Sequence, residues 1–211
     1  MSVIEKLSSS LNRMDQVPNQ ELAKLICINK DTEAVKELVI LLNGKSKRLQ
    51  GDAIKTLYEI GEQNPALISP YINEFIALLD SKNNRLQWGT MTAIDRITPF
   101  HAKTVYDSLS KILQISDEGS VITKDHAINI LIHLCDVKEY ATDAFVLLLD
   151  QLKVAFPNQL PKYAEQAIPF ITKENKAQFL NILSARLADV ETETKRVRIE
   201  KVIQKIDKKI K

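Results

Sequence analysis

The triplet Arg-Leu-Gln stands at Arg48–Gln50 and again at Arg85–Gln87, a step of 37 residues. The apolar positions around it move by the same step. Ahead of the first triplet, Val35, Leu38, Val39 and Leu42 fall at i, i+3, i+4 and i+7, the stripe of an amphipathic helix. The same step leads to Ile72, Phe75, Ile76 and Leu79, and then to Leu109, Ile112, Leu113 and Ser116, where only the last apolar position is lost. Behind the triplet, Ala53, Ile54, Leu57 and Ile60 map onto Thr90, Met91, Ile94 and Ile97, and onto Ala127, Ile128, Leu131 and Leu134. A looser fourth copy keeps Ala164, Ile168 and Ile171 in register, preceded by Phe145, Leu148, Leu149 and Leu152 after a slip of one residue. The pattern predicts a repeated helix–turn–helix unit.

Turn chemistry supports this reading. Asp31 or Thr32 is an expected N-cap, and Ser69 another, with Pro70 at the first helical position. The segments "LLNGKSKR", "LLDSKNNR" and "QISDEGSV" are polar turns at matching points of three units. Between units lie "EQNPAL", "TPFHAK" and "CDVKEY", and Pro169 is expected to end or kink the second helix of the fourth unit. No segment alternates with the period of a strand, and 5 Gly and 7 Pro in 211 residues are too few for a turn-dense β fold. The expected fold is all-α.

Paired helices of this length resemble HEAT or armadillo-type repeats. The resemblance rests on Leu41-Leu42 and Leu78-Leu79 closing first helices, the polar turn after them, and small-plus-apolar pairs such as Ala53-Ile54 opening second helices. Asn43, Asp80 and Asp117 stand where that family carries an Asp. Leu49-Gln50, Leu86-Gln87 and Thr123-Lys124 replace its Val-Arg pair. The resemblance implies an α-α superhelix (solenoid) of about five helical hairpins, in one domain spanning 1–211. Residues 1–30 would form N-terminal capping helices, 31–177 the core repeats, and 178–211 a C-terminal repeat with a basic capping helix. It also implies that the second helix of each unit lines a concave groove. Counting from the core stripe then assigns Lys55, Tyr58, Glu59, Trp88, Thr92, Asp95, Arg96, Asn129, His133, Gln166 and Phe170 to that groove. The single Trp, a Tyr and a Phe among mixed charges have the composition that protein interfaces favour. Trp88 is the sharpest candidate, because its repeat counterparts are Gly51 and Asp125 and the fold requires no aromatic there.

Charge and chemistry narrow the function. The net charge is +2, yet Glu193–Lys211 alone carries +5: Lys195, Arg196, Arg198, Lys201, Lys205, Lys208, Lys209 and Lys211 against three acids. Ile199, Ile203, Ile206 and Ile210 share one face of that segment, which reads as a closing helix with a basic outer side. Glycine-rich phosphate loops and the HExxH, CxxC and GxSxG motifs are missing, so no catalytic residue, cofactor or metal ligand is assigned. His126 and His133 lie two turns apart, too far to serve as adjacent ligands. One HEAT-like family excises alkylated bases from DNA, but its Trp-Asp motif is missing too. Two cysteines in apolar stretches, Cys27 and Cys135, read as buried reduced thiols of a cytoplasmic protein. No signal peptide and no apolar run of membrane-spanning length is read. The expectation is a non-catalytic scaffold or adaptor that binds protein partners. The alternative is a nucleic-acid-associated repeat protein using the basic C-terminal helix and the Lys and Arg of the groove.

Overall fold

The computed structural model describes residues 2–209, without the side chain of Lys209. Lys211 and Ile210 of the expected basic helix lie outside the described residues. The described residues form twelve α-helices: α1 (Val17–Asn29), α2 (Thr32–Leu42), α3 (Lys47–Gln63), α4 (Ile72–Leu78), α5 (Asn84–Ile97), α6 (Ala102–Asp107), α7 (Leu109–Glu118), α8 (Val121–Cys135), α9 (Ala141–Val154), α10 (Leu160–Ala167), α11 (Lys176–Arg186) and α12 (Glu193–Lys209). Six short 3-10 turns accompany them, one ahead of α1 and five between helices, and no strand occurs among the described residues. The fold is all-α, built on the repeat that the sequence carries.

The third letter of the repeated triplet explains its recurrence. A helix ends with carbonyls that have no partner inside the helix. Gln50 Nε2 donates to the carbonyls of Leu42, at 3.0 Å, and Gly44, at 2.9 Å, closing the end of α2. Gln87, one step on, donates to the carbonyl of Leu79 at 3.1 Å. Lys124, a further step on, puts its Nζ 2.7 Å from the carbonyl of Ser116 and 2.9 Å from that of Asp117. Three units thus seal their first helix with a side chain from their second. Asn83 also donates to Gln50 Oε1 at 3.1 Å, tying one seal to the next unit. Two neutral amides and one ammonium therefore fill this role in successive units.

Two compact units divide the chain, Met1–Ile130 and Leu131–Lys211, with the boundary inside α8. In the first, α3 packs against α1, α2 and α5, and α4 against α5. The apolar register is the expected one. Ala53, Ile54, Leu57 and Ile60 are fully buried, as are Met91, Ile94 and Ile97, each large side chain contributing about 1.5–3 kcal/mol by leaving water. Ser116, where the apolar stripe lapses, is buried too, so the register persists though the residue type does not. Ile76 and Leu113 are only half-buried. The linker segments are more structured than turns: Pro65–Leu67 and Thr98–Phe100 are 3-10 turns, and α6 gives the third unit a short extra helix.

In the second unit, α9 and α10 pack together, as do α10 with α12 and α11 with α9 and α12. Arg186 from α11 donates to the carbonyls of Leu152, Lys153 and Ala155 at the end of α9. Ile199, Val202 and Ile206 form the buried face of α12, and Ile203 is half-buried beside them. As expected, α10 stops before Pro169, which sits in the 3-10 turn Ile168–Phe170.

Of four local expectations, two hold and two are corrected. Asp31 does cap α2, accepting from the Ala34 amide at 2.9 Å. Ser69 instead lies within a 3-10 turn (Ser69–Tyr71), and its hydroxyl meets His101 Nε2 at 2.7 Å, because α4 starts only at Ile72. Cys135 is buried, with desolvation, aided by Asp136, pushing its thiol up to about 12. Cys27 is only half-buried, since it faces the flank of α3 rather than the middle of the core, and both thiols are free.

Candidate functional site

Successive second helices of the first unit bring the expected aromatic residues together. Tyr58 on α3 and Trp88 on α5 stand with ring centroids 5.7 Å apart, tilted by 50°, and both are half-buried. That separation suits an aromatic pair, so the two rings bridge adjacent repeats. Lys55 Nζ lies 4.6 Å from the Tyr58 ring centroid and pairs with Glu59 one turn on. The Lys55 ammonium titrates above its usual range: burial opposes this, but the bonds to Glu59 and Tyr58 outweigh it. Gln20 of α1 reaches Glu59 at 3.5 Å. Arg96 pairs with Glu62 across α3 and α5. The result is a strip of aromatic faces edged by ion pairs.

Gly89 does not leave a gap for Trp88 to fill. A Cβ at Gly89 would stand 2.8 Å from Ile54 Cγ1, so α3 already occupies that space. Glycine is required there by the close approach of two helices.

Asp95 and Thr92 sit deeper than a groove residue would. Thr92 is buried, its hydroxyl donating to the Trp88 carbonyl at 2.9 Å. Asp95 is fully buried, and its Oδ2 lies 2.6 Å from His126 Nδ1 and accepts from Asn129 Nδ2 at 2.9 Å. A buried carboxylate persists only where donors replace its water, and α8 supplies them. His126 and Asn129 are therefore structural partners of α5. Counting helix faces missed this because Asp95 follows Ile94 on the border of the apolar stripe. The repeat counterparts Tyr58 and Ile132 give no hint of a carboxylate.

The second unit places the remaining residues. His133 on α8 and Gln166 on α10 are half-buried. Phe170 is also half-buried and lines a cavity of about 490 Å³ with Cys135, Phe145, Val146, Leu149 and Asn175. Asn175 donates to the Phe170 carbonyl at 3.1 Å, fixing that wall.

Much of the basic helix is occupied within the chain. Arg198 makes a two-pronged pair with Glu165, at 2.8 and 2.7 Å. This pair holds the Glu165 carboxyl below its usual range and raises the Arg198 guanidinium. Lys195 bonds Asn158, and Arg196 bonds the Val190 carbonyl at 3.2 Å. Lys201, Lys205 and Lys208 are exposed, and the side chain of Lys209 lies outside the described residues.

No protein-family model matches the chain, and no curated protein matches it significantly. Solved structures do. Two crystal structures of engineered proteins align over 99% of this chain, covering 98% and 100% of their own, with TM-scores of 0.65 and 0.62 at 16% and 17% identity. A third aligns over 96% of this chain and 97% of its own, with a TM-score of 0.64 at 18% identity. It is a computationally designed armadillo repeat protein for modular peptide recognition. With three register-matched units, no strand among the described residues and these alignments over nearly its full length, the chain has an armadillo-like helical-repeat fold.

Proposed function

We propose that this protein is a non-catalytic scaffold that binds a protein partner through an extended peptide segment laid along the second helices of its repeats. The observation that carries the reading is the Tyr58–Trp88 pair. Two aromatic rings from neighbouring repeats stand half-buried on one strip, beside the Lys55–Glu59 and Arg96–Glu62 pairs. Aromatic anchors flanked by oriented charges suit an extended chain, with the rings taking apolar side chains and the polar edge taking main-chain groups. The likeness to a designed armadillo protein for peptide recognition supports the same direction. A peptide-display library panned on the protein tests it. Enriched peptides should bind the wild type and lose about tenfold or more with Trp88→Ala, in line with the ~2 kcal/mol common for an interface Trp. The melting temperature should stay within a few degrees. Undiminished binding by a stable Trp88→Ala protein would refute the assignment of this strip.

Lys201, Lys205 and Lys208 on the exposed side of α12 favour a second reading, association with nucleic acid. Gel-shift titration with duplex DNA and RNA tests it. Retention that weakens steeply with salt would favour it, since counterion release governs phosphate binding.

A further inference from the structure

We propose that a cavity at the edge of the first unit binds the phosphate group of a phosphorylated serine or threonine on a protein partner. The cavity is distinct from the Tyr58–Trp88 strip, and the proposal does not depend on that strip. Its volume is about 200 Å³, which is room for one phosphoryl group and its ester carbon. Three guanidinium groups line it: Arg13, Arg48 and Arg85. Two of them are the arginines of the repeated triplet, so the repeat register itself sets them side by side on α3 and α5.

Two carboxylates lie near these arginines, and both are already engaged. Asp52 is buried at 3% exposure. Its Oδ1 accepts from Asn19 Nδ2 at 3.0 Å, and its Oδ2 from the Ser9 amide at 2.8 Å and the Ser9 hydroxyl. Arg85 lies 3.8 Å from Asp52 Oδ1 and donates to Gln16 Oε1 at 2.7 Å, a geometry that fixes its planar fork. Arg13 is held by Asp15 through two bonds of 2.9 Å, which keep the Asp15 carboxyl below its usual range. Arg48 is exposed and makes no hydrogen bond or ion pair among the described residues. Three cations against two anions leave one positive charge in the cavity, with one guanidinium ready for a bidentate acceptor. Gln16, Arg48 and Arg85 also stand at or near the starts of α1, α3 and α5, whose positive dipole ends add to the field.

The register argues for a phosphorylated peptide over a polynucleotide. One step after Arg85, at the same place in α8, is Ile122, 45% exposed, and ahead of α1 the chain is a turn that carries Leu11, 49% exposed. The arginine column therefore stops after two rungs and is flanked by apolar side chains, with Met14 beside it at 91% exposure. A polynucleotide needs a continuing row of phosphate contacts. A single phosphorylated side chain with apolar neighbours fits two rungs.

Fluorescence polarisation with two labelled octapeptide mixtures tests this, one carrying phosphoserine at the centre and one serine, both degenerate at the flanks. The full-length protein should prefer the phosphorylated mixture by about tenfold or more, and millimolar inorganic phosphate should compete. Arg48→Ala, at an exposed position, should remove most of that preference without changing the melting temperature. Arg48→Lys should restore only part of it, because an ammonium cannot grip two oxygens in a plane. Equal binding of the two mixtures overturns the proposal. So does a preference that survives Arg48→Ala, or an RNA oligonucleotide that outcompetes the phosphopeptides through the same arginines.

Discussion

Gln50 makes three hydrogen bonds with one side chain, to the Leu42 and Gly44 carbonyls and from Asn83. Replacing it with Ala strands helix-end carbonyls in a part-buried turn, so Gln50→Ala should cost about 1–2 kcal/mol in a chemical-denaturation measurement. The equivalent change at Gln87, which makes a single such bond, should cost less. Asp95 is a harsher case, because its loss leaves His126 and Asn129 facing a buried void. Asp95→Ala should destabilise by about 1–3 kcal/mol, the cost of leaving buried donors without their acceptor. The Glu165–Arg198 pair is exposed on both sides, and water screens it to under about 1 kcal/mol. The sign of its pH dependence follows from Glu165, whose carboxyl is held below its ordinary value of 4.5 in the folded state. Its contribution is complete above that value and is lost as the pH falls through the lowered folded value. The stability difference between wild type and Arg198→Ala should therefore shrink as the pH falls below 4.5.

At the scale of helices, α3 and α5 approach closely enough that Gly89 meets Ile54 and Gly51 meets Arg85. Gly89→Val should force the two helices apart and cost about 1–3 kcal/mol by overpacking, relieved in part by Ile54→Ala in the double variant; a thermal melt of the four proteins checks this. This level was the most legible in the sequence. A period of 3.6 within helices and of 37 between them leaves little freedom for the apolar residues. Ala53, Ile54, Leu57 and Ile60 are buried where the pattern places them. Polar residues were less legible, because their partners come from other helices at no fixed spacing. Nothing around Asp95 in the chain announces His126, and nothing around Asp52 announces Ser9 and Asn19. Arg48 and Arg85 were visible as a repeat, but their convergence with Arg13 depends on how the segment before α1 folds back over the edge of α3. The same limit explains Thr92, which a one-residue shift in the estimated helix face moves from solvent into the core.

For the molecule as a whole, the division at Ile130 and Leu131 shapes how it should unfold. Stability in a repeat array is carried by each unit and its neighbours, so damage need not spread through the chain. Ile54→Ala removes a fully buried side chain from the first unit. Hydrogen exchange should show faster opening of α1 to α5 in that variant, with the amides of α10 to α12 exchanging at wild-type rates. Uniform acceleration across both segments would mean that the chain opens as one body. The glutamine seal has a consequence for how such a chain grows. Because Gln50 closes a helix belonging to its own unit, a duplicated segment of 37 residues carries both the open end and the group that closes it. A gene that gains or loses such a segment therefore produces no orphaned helix end. Chain length becomes a trait that can drift in whole steps, leaving selection to act on the loops and exposed strips.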